Sequence, residues 1–259
     1  VTELLKTIRD LKEAGKSIIL ITHKLAEVME IADRIMVMRL GHLVKTMYKH
    51  ETSIEELSLL MVGHKLETKE IKNIELNEDV LEVSSLTLAG MGEKPLLDNL
   101  SLHVRKGEIV GIAGVSGNGQ SELIQCLTGI RKFHSGQVVI NGKDVSNCSV
   151  REIRESGCAC IPEDRYYWGN AAEATLIENG IMSHYHNKEM MKHGIFNQKN
   201  IKKFVNGMME EFDVRYTSDK QQTQELSGGN VQKLIVAREI SHHSPFLIAA
   251  EPTRGIDIG

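Results

Sequence analysis

Residues 109–121, Ile-Val-Gly-Ile-Ala-Gly-Val-Ser-Gly-Asn-Gly-Gln-Ser, constrain the fold more than any other stretch. The apolar run over 109–113 predicts a buried strand, and glycines follow at 114, 117 and 119. Leu123, Ile124, Leu127 and Ile130 then recur at helical spacing, which predicts a helix ending near Gly129. Strand, glycine loop and helix in that order build an anion nest from backbone N–H groups at a helix N-terminus. The spacing of Gly114, Gly119 and Ser121 fits a phosphate-binding loop at every place but one: Gln120 stands where that loop carries lysine. Candidate phosphate contacts are therefore Gly114, Gly117, Asn118, Gly119, Gln120 and Ser121, with the Ser121 hydroxyl also the candidate metal ligand. Taken alone, a glycine loop with one mismatch equally describes a tight strand-to-helix turn.

The chain of 259 residues is 41% apolar and 25% charged, which places it among globular proteins with room for one large domain or two smaller ones. A net charge of −4 lends no support to non-specific nucleic-acid binding. No segment reaches the length of a membrane span, and the first twelve residues read as a polar amphipathic helix rather than a signal peptide. The absence of an initial methionine, and the stop at Gly259 directly behind a motif, make both ends read as cut. Cys126, Cys148, Cys158 and Cys160 lack metal-type spacing and are expected as free, buried thiols suited to a reducing compartment.

Leu4, Leu5, Ile8 and Leu11 predict a helix with one apolar face, closed by Gly15. Residues 17–22 predict a buried strand, His23 follows at its end, and a helix carrying Leu25, Val28, Met29 and Ala32 comes next. Strands are expected over 34–39 and 43–47, then a short helix from a Ser53/Glu56 capping box to about Val62. Residues 66–79 are charged and read as a linker, and a new unit begins near Val80. Strands over 80–88 and 97–104 lead into the glycine loop, with further strands over 136–141 and 158–161 and a helix over 150–156. Residues 171–213 read as mostly helical, interrupted over 184–197. His184 and His186, without further ligands nearby, read as a solvated turn, and His242-His243 as a surface connection.

Leu226-Ser227-Gly228-Gly229-Asn230 opens a helix bearing Val231, Leu234, Ile235 and Arg238, a second place where free N–H groups meet the positive end of a helix dipole. An apolar strand over 246–250 follows, ending in Glu251-Pro252-Thr253-Arg254-Gly255-Ile256-Asp257. In order and spacing, these motifs and the glycine loop resemble the ATP-binding subunits of ABC transporters. The resemblance implies an α/β fold: a P-loop NTPase core of ABC type with an antiparallel β subdomain and a helical subdomain. Within it, residues 18–23 resemble the strand and switch histidine that close such a domain. A switch histidine ahead of a phosphate loop implies two tandem domains: residues 1–65 the tail of a first, 66–79 a linker, and 80–259 a second, truncated after Asp257's loop.

Pro162-Glu163-Asp164-Arg165 and the 251–255 motif resemble bacterial sugar and nucleoside importers, and Gln120 with Ala249-Ala250 resembles the nucleoside branch; sugar-type relatives usually carry aspartate at position 250. The implied cofactors are ATP and Mg²⁺. The implied partners are transmembrane permease subunits and, indirectly, an extracellular solute-binding lipoprotein, with no nucleic acid. The implied location is the cytoplasmic face of the membrane. His23 and Glu251 are the implied catalytic residues; Glu163, Ser227, Gly228, Gly229 and Asp257 join the glycine loop as nucleotide contacts. ATP in such proteins lies between the phosphate loop of one domain and the Ser-Gly-Gly signature of the other, closing the pair until hydrolysis reopens it. Gln120, Ala250 and Glu163 depart from the family pattern, which implies an eroded site at the second loop; a lysine charge near phosphate is worth about 4 kcal/mol at intermediate dielectric. A soluble tandem ATPase acting on ribosomes is the alternative, set against by a connector of only about fourteen residues. A nucleotide-binding regulator without turnover is another. The aromatic run Tyr166-Tyr167-Trp168 reads either as core or as a docking cluster for the membrane subunit.

Overall fold

A computed structural model describes residues 2–39, 41–63, 78–90, 92, 94–192 and 194–256. They fall in two compact units, each taken by itself below. The linker expected over 66–79 lies outside the described residues up to 77, and Asp79, assigned to it, instead opens a strand opposite Arg105.

In the first unit, helix α1 (Thr2–Glu13) is closed by Gly15 at φ +80°, and helix α2 spans Leu25–Ile31. Of the apolar face expected on α1, Leu5 is buried while Leu4 and Leu11 are exposed. Strands β1 (Arg34–Arg39) and β2 (His42–Tyr48) form an antiparallel hairpin around Gly41. Period-two patterning sends Ile35 and Val37 inward, where they meet Met47 and Leu57 of helix α3 (Ile54–Val62). Half of the expected capping box forms: the Glu56 N–H donates to Ser53 Oγ, but the Glu56 carboxylate accepts from Lys45 and Thr52 instead.

The second unit begins with strands β3 (Asp79–Leu88) and β4 (Leu97–Arg105), followed by helix α4 (Gln120–Leu127) and strands β5 (Ser135–Ile140) and β6 (Lys143–Asp144). The four strands make an antiparallel sheet in the order β4-β3-β5-β6. Its inner face (Leu81, Val83, Leu86, Val138, Ile140) packs with Leu123, Cys126 and Leu127 of α4. Helix α5 (Val150–Glu155) adds Ile153 to that core, and strand β7 (Cys158–Ile161) adds Cys158. A helical layer follows: α6 (Leu176–Ile181), the short hairpin β8 (Met191–Lys192) and β9 (Ile195–Phe196), α7 (Gln198–Glu211) and α8 (Gly228–Ile240). Its core is Leu176, Val205, Met209 and Leu234. Strand β10 (Phe246–Ala249) returns parallel to β7, with Ala249 opposite Ile161.

Two expected strands do not form. Residues 17–22 and 109–113 belong to neither helix nor strand among the described residues, and Ile19, Ile21 and Ile109 are each at least 90% exposed. A strand is completed by the ladder bonds of a neighbour, and none of the described strands pairs with either segment. The strand expected over 246–250 is likewise buried only in part: Phe246 is inside, while Leu247 is exposed.

Candidate functional site

The glycine loop reaches α4 through left-handed backbone at Gly117 (φ +90°) and Gly119 (φ +97°), which side-chain-bearing residues adopt only at a cost. Gly119 is the residue preceding α4, so the first-turn N–H groups of the helix have no intrahelical acceptor and face the loop. Gln120 folds back over the loop, its amide donating to the Val115 carbonyl at 3.4 Å. It occupies the space over Gly114, where a Cβ would collide with the Gln120 amide nitrogen. The loop is thus closed by a neutral side chain in place of a cation. Gly114, Gly117 and Asn118 are exposed.

Ser121, the second residue of α4, donates its hydroxyl to Glu163 at 2.7 Å. The two lie 42 positions apart and meet because Glu163 stands two residues beyond the end of β7. The loop that follows is tightly organised: Asp164 Oδ1 accepts from the N–H groups of Tyr166 and Tyr167, which hold its carboxyl below the usual range. Arg165 donates to the Arg254 carbonyl at 2.7 Å and lies over the Tyr166 ring. The same guanidinium fills the space over Gly228 and Gly255. Beyond it Tyr167 and Trp168 meet edge to face at 4.7 Å, both exposed. Tyr166, Tyr167 and Trp168 are all exposed, which sets aside the core reading of the aromatic run.

Ser227 caps α8, its hydroxyl accepting from the Asn230 N–H and side-chain amide. Gly228 and Gly229 form the first turn, and a Cβ at 229 would lie 3.1 Å from the Gly255 carbonyl oxygen. Glu251 adopts φ +45° and turns toward Arg254, 3.2 Å away. The described geometry thus brings Gln120, Ser121 and Glu163 together, and separately joins Ser227-Gly228-Gly229 to the 251–256 segment through Arg165. Glu251 touches neither Ser121 nor Glu163 in the described hydrogen bonds. His23 is exposed in the first unit, and Asp257 lies outside the described residues.

Sequence reasoning missed the charged interior beside this loop. Glu239, 1% exposed at its side chain, pairs with Arg238 and Arg154 and accepts from Ser183 and the Cys160 N–H. Arg238 donates onward to the carbonyls of Gly169 and Asn179, tying the aromatic loop and α6 to α8. The signal was the adjacent pair Arg238-Glu239 directly after the apolar run Leu234 to Ala237. A cavity of about 200 Å³ lies beside it, lined by Trp168, Arg154, Ser183, Glu239, Cys158 and Cys160. The four cysteines are free, and burial pushes the Cys158 and Cys160 thiols up to about 12. His184 is not the solvated residue expected: it is buried, its Nε2 lies 3.0 Å from the Arg238 carbonyl oxygen, and burial lowers its pKa. His242 is half-buried rather than a surface residue, and burial lowers its pKa too.

Among the described residues no group of three or more His, Cys, Asp or Glu converges as a metal cage, and no helix is long and apolar enough to cross a membrane. The Ser121–Glu163 pair fits a small hard cation that takes its remaining ligands from phosphate and water, because Mg²⁺ favours one or two carboxylates beside substrate oxygens.

The sequence family described as ABC transporter matches residues 97–254. The chain is 41% identical to the nucleoside import ATP-binding protein NupA of Lactococcus lactis, across 100% of this chain and 51% of that protein. It is 42% identical to the guanosine import ATP-binding protein NupO of Bacillus subtilis, with the same coverage. A ribose import ATP-binding protein, RbsA of L. lactis, is 35% identical over 99% of this chain and 51% of its own length. The chain therefore spans about half the length of these curated relatives. In fold it is similar to the ATP-binding cassette MJ0796 in its dimeric post-hydrolysis state with ADP and Pi, at TM-score 0.58 and 21% identity over 68% of this chain and 76% of that one.

Proposed function

The chain belongs to the ABC transporter family, and from that membership we propose that it is part of an ATP-driven importer motor for nucleosides. The observation that carries the reading is the loop after β7. At one end it sets Glu163 on Ser121 of the phosphate-loop helix, and at the other it exposes Tyr167 and Trp168. A single short loop thus connects the place where phosphate is sensed to an aromatic surface suited to a partner. Arg165, between them, fastens that loop to the segment at Arg254 beside α8.

In this reading two ABC domains lie in tandem in the whole protein, residues 1–65 from the first and 80–259 from the second. His23 and Glu251 act in hydrolysis. Gly114 to Ser121 and Glu163 hold one nucleotide, while Ser227, Gly228, Gly229 and Asp257 face another. Ser121 and Glu163 are the residues that would hold Mg²⁺, which when bound neutralises charge on the transferring phosphoryl group. The motor works at the cytoplasmic membrane face against transmembrane permease subunits, with a solute-binding lipoprotein beyond them. Nucleosides are favoured over sugars by Ala249-Ala250 and by the two import proteins with which identity is 41% and 42%.

The test is Trp168→Ala in the full-length protein co-expressed with its permease subunits. Aromatic anchors at interfaces are worth about 2–4 kcal/mol, so recovery of the complex on co-purification should fall at least tenfold while ATP affinity stays unchanged. Undiminished co-purification overturns the docking role of the loop.

A further inference from the structure

We propose that His184 and His242 form an acid-sensitive latch: neutral, their rings hold the segment after α6 against the end of α8, and protonation releases that segment. His184 stands three residues beyond α6 and is 8% exposed. Its Nε2 lies 3.0 Å from the Arg238 carbonyl oxygen, which can only accept, so the neutral ring carries its proton there and donates. Its Nδ1 has no hydrogen-bond partner among the described residues. Phe204 of α7 meets the ring edge to face at 4.8 Å, and the His242 ring lies 5.5 Å away. His242 is fixed in turn by Ser244, whose Oγ is 2.6 Å from its Nδ1. A second proton on His184 therefore enters a place that offers an aromatic ring, another imidazole and no acceptor.

The charged groups around the pair oppose that proton as well. Arg154 comes from α5, Arg238 and Glu239 from α8, and His243 from the turn after it. Helix α7 turns Phe204 toward the rings and sets Lys203 and Glu211 on a neighbouring groove beside His243. Tyr185 and His186 of the segment itself are exposed. Glu239 is the anion closest in, but both its oxygens are engaged. Oε1 accepts from Ser183 and Arg238, and Oε2 from Arg154 and the Cys160 N–H. With Arg154 and Arg238 already present, protonating both rings would set four cations about one carboxylate. Burial lowers the pKa of both rings, and on His184 it outweighs the support that the Arg238 carbonyl gives the charged form.

A histidine that the fold keeps neutral stabilises it fully above the free-imidazole pKa, about 6.5, and less as pH falls below that value. The latch therefore opens in weak acid, before the carboxylates titrate. Met182 and Ser183, adjacent to His184, line the cavity of about 200 Å³ together with Trp168. Where Trp168 docks a partner, as proposed above, weak acid loosens the docking face; the latch itself needs neither partner nor nucleotide.

The experiment is amide hydrogen exchange of the 259-residue chain at pH 7.5 and pH 5.5, read by mass spectrometry and corrected for the intrinsic pH dependence of exchange. Residues 182–190 carry the backbone bonds of Met182, His184, Asn187 and Met190, which report on the segment. Their protection should fall about tenfold or more at the lower pH, because each imidazole barred from its proton in the closed state contributes up to about tenfold per pH unit below 6.5. Protection of β5 should change by less than about twofold. His184→Gln keeps a donor for the Arg238 carbonyl but cannot titrate, and its acid loss should stay below about threefold. His242→Gln leaves one titrating ring and should show at most about half the wild-type fold-change. Wild-type protection unchanged by acid, or lost equally in β5, overturns the latch. An acid loss in either variant as large as in wild type overturns the pair.

Discussion

Arg238 and Glu239, near the end of the helix that follows the Ser-Gly-Gly turn, join Arg154 in a group of two cations and one anion, with Glu239 and Arg238 almost fully enclosed. Burial alone would raise the Glu239 carboxyl, but the charges of Arg238 and Arg154 outweigh it and hold the group below its ordinary value. A carboxylate depressed in the folded state contributes its stabilisation fully above its unfolded pKa, about 4.3, and loses it as pH falls through the folded one. Glu239→Ala leaves Arg238 buried without its anion, a change that costs about 3–5 kcal/mol. Urea unfolding at pH 7 should show that loss. Between pH 5 and pH 3 the wild-type chain should lose stability more steeply than Glu239→Gln, in which nothing at this position titrates. Equal slopes would mean that the depressed carboxyl is not Glu239.

At the scale of elements, the turn from loop to α4 depends on two glycines that differ in what surrounds them. Both need positive φ, but a Cβ at 117 enters open space, whereas one at 119 comes within 2.9 Å of the Leu96 carbonyl oxygen and the Leu97 side chain. Gly117→Ala should therefore lower stability by only the left-handed backbone cost, about 1 kcal/mol. Gly119→Ala adds the displacement of β4's first residues and should cost roughly 2–3 kcal/mol in all, with ATP affinity falling alongside. Thermal unfolding of the two variants checks the order. A Gly117 variant as damaged as the Gly119 one would show that backbone conformation, and not the approach of β4, sets the requirement.

Across the whole molecule, on the proposed tandem reading, the departures from the family pattern fall to one nucleotide site. In that reading Gln120, Ala250 and Glu163 belong to the site of the second domain's loop, whereas His23 and the Ser227-Gly228-Gly229 turn keep the family residues of the other. If the whole protein carries two such domains in tandem, as proposed, this predicts one competent site and one that mainly retains nucleotide. His23→Ala and Ser227→Arg should each remove most steady-state ATPase activity, tenfold or more, since in the proposed arrangement both residues contact the γ-phosphate. Gln120→Ala should cost less than threefold, because no lysine charge remains to be lost. Comparable losses from Gln120→Ala and Ser227→Arg in the full-length enzyme would mean that both sites share the work.

Local chemistry written in neighbouring residues was enough for the glycine turn into α4, the Ser227 cap, the strands β1 and β2 on either side of Gly41, and the apolar side of α8 at Val231, Leu234 and Ile235. Each depends on backbone dihedrals or on a period of two or 3.6, quantities complete within about ten residues. The order of motifs, read along the chain, was also enough for the family. What the tertiary structure alone decided is which distant groups meet. Ser121 finds Glu163 42 positions away, and Glu239 finds Arg154 85 positions away. His184, expected in a solvated turn, is buried against the Arg238 carbonyl. Residues 17–22 and 109–113 carry strand-like sequence yet join no sheet among the described residues, because a strand's hydrogen bonds belong to its neighbour and no periodicity within the segment supplies one.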